Sequence, residues 1–146
     1  MPVTGVQTCA LPISTPTSRG VTLLRELAAG GVRTAISSDN TRDPFYAYGD
    51  LDGLEVLREG IRIAHLDHPV AAAPALITRN PADIMGLPAH GRIAAGLPAN
   101  LIVFEGRRWS ELYSRPEANR IVLRDGKAVE RTLPAYAELD DLMVPR

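Results

Sequence analysis

Apolar residues recur along this chain with two different periods, and the switches between them mark its elements. Over residues 18–29, Val21, Leu24, Leu27 and Ala28 fall on one side of a helix, and Gly30-Gly31 stops it. Val32, Thr34 and Ile36 then recur at every second position, which predicts a strand over 32–37 closed by Asp39. Leu54, Leu57, Ile61 and Ala64 return to helical spacing and predict a helix over 51–66 whose apolar stripe is core. Residues 71–77 and 81–85 read as short helices, Asn80-Pro81 supplying a cap and a favourable first-turn proline. Beyond Gly91 the pattern shortens to strands over 101–104, 121–124 and 128–130, the last two joined by an Asp125-Gly126 turn. Trp109 and Tyr113, at helical spacing, are expected to pack a short helix onto this β element rather than bind substrate.

The chemistry concentrates where the predicted strand ends. Asp39 stands at the tip of an apolar strand, and Asn40 and Asp43-Pro44 favour a turn there. Loops after the carboxyl ends of strands carry the reactive groups of parallel α/β folds, so Asp39 is a candidate catalytic carboxylate. An aspartate ending a strand also serves simply as a turn former or a helix cap. Arg42 and Asp43 suit a local salt bridge that shapes the loop.

Composition narrows the classes. The chain has 146 residues, 45% of them hydrophobic and 23% charged, with a formal net charge of -1, as expected for a soluble globular protein. Acidic and basic residues are interspersed and no apolar run approaches the roughly 20 residues that span a bilayer, so neither nucleic acid nor membrane is an expected partner.

Longer motifs carry a family likeness. Ser38-Asp39-Asn40-Thr41-Arg42-Asp43-Pro44-Phe45-Tyr46, followed by Tyr48-Gly49-Asp50 and Leu54-Glu55-Val56-Leu57, resembles the amidohydrolase superfamily, in its cytosine deaminase-like branch. Leu76-Ile77-Thr78, Asn80-Pro81-Ala82 and the run from Gly91-Arg92-Ile93 through Gly96-Leu97-Pro98-Ala99-Asn100-Leu101 are similar to the closing segment of those enzymes. The resemblance implies an α/β fold: the C-terminal part of a metal-dependent-hydrolase (β/α)8 barrel over 15–88, then part of a small β-sandwich subdomain and tail over 89–146.

It also implies a reaction. The parent enzyme would deaminate cytosine or a related amino-substituted nitrogen heterocycle, with one divalent metal, Zn2+ or Fe2+, lowering the pKa of its bound water to about 7. Asp39 would be both a metal ligand and the catalytic group that takes the water's proton, while Asn40 and Phe45 would contact the substrate ring. The enterobacterial enzymes carry a second Asp at the position of Asn40 and Trp at that of Phe45, which brings isocytosine, creatinine-like rings and aminotriazines into range. A cytoplasmic setting and a homo-oligomeric parent follow from the same likeness.

A complete barrel of this kind needs roughly 250 residues, and the family's His-x-His pair and later metal-binding histidines are not among these 146. An inactive fragment that binds no metal of its own is therefore expected. His65 and His68 are expected to cap the carboxylate end of the helix before them, and His90 is assigned no role. Residues 1–14, whose Val3 to Ile13 stretch resembles the in-frame translation of a sequencing adapter, are expected to be a non-native leader that includes the single cysteine, Cys9. The competing reading is a noncatalytic barrel-derived module acting through partner or oligomer contacts.

Overall fold

The computed structural model describes residues 20–38, 49, 51–114, 119–132 and 135–143. Its elements are mixed helix and strand, an α/β chain in which the first helices precede a small sheet, one short helix lies between the sheet's first two strands and another follows the last. No helix among the described residues is long and apolar enough to cross a membrane.

Helix α1 is Leu24–Ala29, shorter than its apolar periodicity suggests. Residues 20–23 stay out of the helix, since Gly20, Val21 and Thr22 are poor helix formers and Leu23 at the N-cap offers no side-chain acceptor. The predicted stop is where expected. Gly31, at φ 81, donates to Ala28 O and the Val32 N–H donates to Leu27 O, the paired bonds of a Schellman turn that a left-handed glycine closes without steric cost.

Helix α2, Gly53–Ile63, is the centre of the packing. Asp52 caps it, its carboxylate accepting from the Leu54 N–H at 2.9 Å, and Leu54, Leu57 and Ile61 are buried as their spacing requires. Leu57 and Ile61 join Ala73 in a core against which Ile36, Leu66, Val70, Ile77 and Tyr113 pack. His65 follows the helix at φ 53 while the Leu66 N–H donates to Ile61 O. The expected cap is thus made by the His65 backbone in the left-handed position, and not by an imidazole reaching the helix end.

Residues expected to form a helix over 71–77 instead wind as a 3-10 helix, Val70–Leu76. Pro74 explains the difference: it has no N–H for an α-helical bond and its ring crowds the carbonyl four residues back. Helix α3 is Arg79–Ile84 with Thr78 at its N-cap, so Asn80 lies inside the first turn and does not cap it. The Asn80 amide instead donates to Thr34 O at 2.8 Å, tying α3 to the segment before the candidate site.

The sheet follows its pattern closely. Strands β1, Leu101–Phe104, β2, Arg120–Arg124, and β3, Lys127–Ala128, pair antiparallel in the order β1-β2-β3, with Leu101 opposite Leu123 and Arg124 opposite Lys127. Asp125 and Gly126 both take positive φ, 49 and 76, as a two-residue type I′ hairpin needs. Ala99-Asn100 receives this turn: Asn100 Oδ1 accepts from the Asp125 N–H and Ala99 O from the Gly126 N–H. Helix α4, Trp109–Ser114, carries Trp109 and Tyr113 stacked with centroids 5.9 Å apart, and Tyr113 reaches the core. Tyr113 thus packs against the helical core around Leu57 and Ile61, where packing onto the β element was expected. Helix α5, Asp140–Met143, follows a short 3-10 turn near the end of the chain.

Candidate functional site

The predicted strand before Asp39 is the point of departure. Over 33–37 exposure alternates strictly: Thr34 and Ile36 are half-buried, while Arg33, Ala35 and Ser37 are exposed. That is a strand's period, yet the segment belongs to no strand, because no neighbouring strand lies beside it among the described residues. Two bonds hold it. The Ile36 N–H donates to Leu76 O at 3.1 Å, and Thr34 O accepts from Asn80. Ile36 also lies directly on Gly60 of α2, where an added Cβ would sit 2.6 Å from Ile36 Cδ1, so the bare backbone of Gly60 lets the segment approach the helix.

A cleft of about 900 Å3 opens beside this contact. Leu24, Ile36, Val56, Ile63 and Ile77 make its walls apolar, and Asp52, Glu55 and Glu59 add carboxylates. Ser37 and Ser38 line it on one side and Gly49 and Leu51 on another. Asp39, Asn40 and Phe45, with Arg42 and Asp43, lie outside the described residues. Both described ends of the stretch that contains them therefore border one cleft.

Asp52 is the functional-looking residue that periodicity did not single out. Besides capping α2, its carboxylate takes a two-pronged bond from Arg120 of β2, at 2.9 Å to Oδ1 and 2.5 Å to Oδ2. Both side chains are largely buried, 22% and 12% exposed. The Arg120 guanidinium holds the Asp52 carboxyl below the usual carboxylate range, against the opposing effect of burial. Arg120 also lies 5.5 Å from the centre of the Phe104 ring. One ion pair thus joins the start of α2, just past the cleft's Gly49 and Leu51, to the sheet. The partner of Asp52 lies 68 residues later, beyond the reach of local periodicity, which placed residue 52 inside the predicted helix.

A second carboxylate has a similar structural duty. Asp83 in α3 is paired with Arg92 and lies 3.8 Å from Arg33, and Arg92, first among these neighbours, keeps its carboxyl below the usual range. The Gly91-Arg92 pair of the long motif therefore fastens α3 to its following loop, Arg92 also donating to Pro88 O and His90 O. The Tyr113 hydroxyl is buried without a hydrogen-bond partner among the described residues, and burial raises its pKa.

Each of the three histidines is held through its backbone carbonyl. His65 and His68 offer their backbone carbonyls to Arg25, and His90 offers its own to Arg92. No group of three or more His, Cys, Asp or Glu side chains positioned for a metal ion occurs among the described residues. The described residues do not by themselves make a metal site.

Comparison with known proteins decides the family. The model of the amidohydrolase family matches residues 5–130. The chain belongs to the amidohydrolase family. One relative, a pterin deaminase of Rhizobium rhizogenes, is 61% identical over 132 residues, which cover 90% of this chain and 30% of that protein. Among solved structures, 5-methylcytosine deaminase from Klebsiella pneumoniae liganded with phosphonocytosine superposes with a TM-score of 0.66 at 26% identity, covering 84% of this chain and 31% of the other. The same enzyme liganded with 5-fluorocytosine gives 0.62 at 27% identity, covering 86% and 32%. This amidohydrolase chain therefore spans about a third of the length of the relatives it matches.

Proposed function

We propose that this chain supplies the C-terminal barrel units and part of the β subdomain of a deaminase-type amidohydrolase whose substrate is a pterin-like ring. The observation that carries the substrate class is the 61% identity to a pterin deaminase. Pterin and cytosine share an amino group on a ring carbon next to a ring nitrogen, so the deamination expected from the sequence keeps its chemistry and changes its ring. Water adds at that carbon, the C–N bond breaks, the amine leaves as ammonia, and a ring carbonyl remains. Asp39 is the group proposed to accept the water's proton and return it to the leaving amine. The cleft lined by Ser37 and Ser38, the residues just before Asp39 in sequence, supports this reading. Asn40 would read the ring edge, since an amide both donates and accepts, and Phe45 would cover a ring face.

The test is a chimera in which this chain replaces its counterpart in the Rhizobium rhizogenes pterin deaminase. Ammonia release from pterin is expected, falling by about a thousandfold or more in Asp39→Asn. The 26% identity to 5-methylcytosine deaminase favours cytosine as the second reading, and a chimera that prefers cytosine selects it. A folded chimera that turns over neither ring supports the noncatalytic module instead.

A further inference from the structure

We propose that Arg120 is a positioning residue for the cleft: by gripping Asp52 it holds the neighbouring Leu51 in a left-handed backbone conformation, and so sets the Leu51 side chain as an apolar contact for the bound ring. The proposal rests on the reading of the cleft as a ring-binding site. Three non-glycine residues among those described take a positive φ. Two are explained by their place, since His65 closes α2 and Asp125 stands in the type I′ turn. Leu51, at φ 54, does neither. It precedes Asp52, the cap of α2, whose own backbone is extended, and a helix start needs no left-handed residue before its cap. In a leucine the left-handed form is disfavoured roughly tenfold. Packing of its side chain does not offset this, because Leu51 is 83% exposed. Strain of this kind persists only where the surroundings over-determine it, and it gathers at ligand sites.

The constraint is the adjacent residue. The Asp52 carboxylate is fixed from two sides, by the Leu54 N–H of α2 and by the two-pronged Arg120 guanidinium. Arg120 is itself anchored in the sheet: it stands opposite Phe104 in the β1–β2 pairing, its guanidinium lies over the Phe104 ring, and its carbonyl accepts from Arg131. Sheet and helix together therefore set the direction in which the backbone leaves Asp52 towards Leu51. Gly49, Leu51, Asp52 and Gly53 all line the cleft, so the strain stands on its wall. An exposed leucine there gains most when a flat ring face covers it. Without the clamp Leu51 relaxes, and the form ready for the ring falls to about a tenth of the population. Apparent affinity then falls about tenfold, while the steps after binding are unchanged.

The experiment uses the pterin deaminase chimera. Arg120→Gln, and Asp52→Asn, which keeps the cap, should each raise KM and the calorimetric Kd for pterin about tenfold while kcat stays within about twofold. The double variant should bind no worse than either single one, because both remove the same clamp. Arg120→Lys keeps the charge without the fork and should recover only part of the affinity. Leu51→Ala should weaken binding about fivefold or more. Leu57→Ala, which disturbs the core away from the cleft, should leave KM unchanged below its melting temperature. An unchanged KM in Arg120→Gln, a loss in kcat alone, effects that multiply in the double variant, or an equal rise in Leu57→Ala overturns the proposal. Carbon chemical shifts of Leu51 in the isotope-labelled 146-residue chain give a check without catalysis. They should move alike in Asp52→Asn and Arg120→Gln, and shifts that stay in place overturn it. A chimera that shows the same Kd pattern with pterin or cytosine but releases no ammonia removes the proposed activity and leaves the positioning role standing. One that binds neither ring overturns both.

Discussion

Removing the Asp52 carboxylate should cost this chain stability at two places at once, because it caps α2 and pairs with Arg120. In Asp52→Ala the capping bond to the Leu54 N–H is lost, about 1 kcal/mol. The two-pronged bond to Arg120 is lost with it. That pair is less exposed than a surface bridge, worth up to about 1 kcal/mol, but not fully buried, where breaking one costs about 3–5 kcal/mol. About 2 kcal/mol is the reasonable value between these limits, and Arg120 keeps its place over Phe104. The total is about 3 kcal/mol for Asp52→Ala and about 2 kcal/mol for Asp52→Asn, which retains a good cap. Urea unfolding followed by circular dichroism measures both, and a cycle with Arg120→Ala should return a coupling of about 1–2 kcal/mol.

The pH dependence gives an independent check. Because the folded Asp52 carboxyl titrates below its unfolded value of about 3.9, its contribution is complete above that value and is lost as pH falls through the lower folded value. The difference between the parent chain and Asp52→Asn should therefore be level from neutral pH to about pH 5 and shrink below about pH 4. Asp83 titrates low for the same kind of reason, so the parent curve alone contains both groups and only the difference isolates Asp52. A coupling within about 0.3 kcal/mol of zero, or a difference that grows as pH falls, would refute the reasoning.

Other outcomes follow from single contacts. Leu57→Ala, at the most deeply buried side chain among the described residues, should destabilise by about 2–5 kcal/mol in the same urea assay, the range depending on how far Ile61 and Ala73 close the space. Gly91→Ala should cost about 2 kcal/mol or more, since at φ 68 its Cβ would stand 2.4 Å from Thr78 O, a backbone atom that cannot turn aside. Ile102→Lys on β1, an exposed residue of a strand paired on one side among the described residues, should lower light scattering on storage while leaving the melting midpoint nearly unchanged.

The sequence by itself determined what depends on neighbours in the chain. The α2 stripe of Leu54, Leu57 and Ile61, the Gly31 stop, the span of β1 and the Asp125-Gly126 turn all follow from local periodicity and backbone chemistry, and all are present. Motif likeness likewise gave the amidohydrolase family. Misreadings arose where one residue's backbone outweighed the pattern, as when Pro74 turned a helix into a 3-10 helix, or where a side chain served a distant partner. Asn80 looked like a cap and bonds Thr34, while Asp52, read as lying inside the helix over 51–66, caps α2 and holds Arg120. The candidate site divides in the same way. Asp39, Asn40 and Phe45 were read from a motif, whereas the cleft beside Ser38 and Gly49 comes from packing. Only the tertiary structure decided that the alternating segment 33–37 is not a strand, since a strand is completed by hydrogen bonds to a neighbour that local sequence cannot supply.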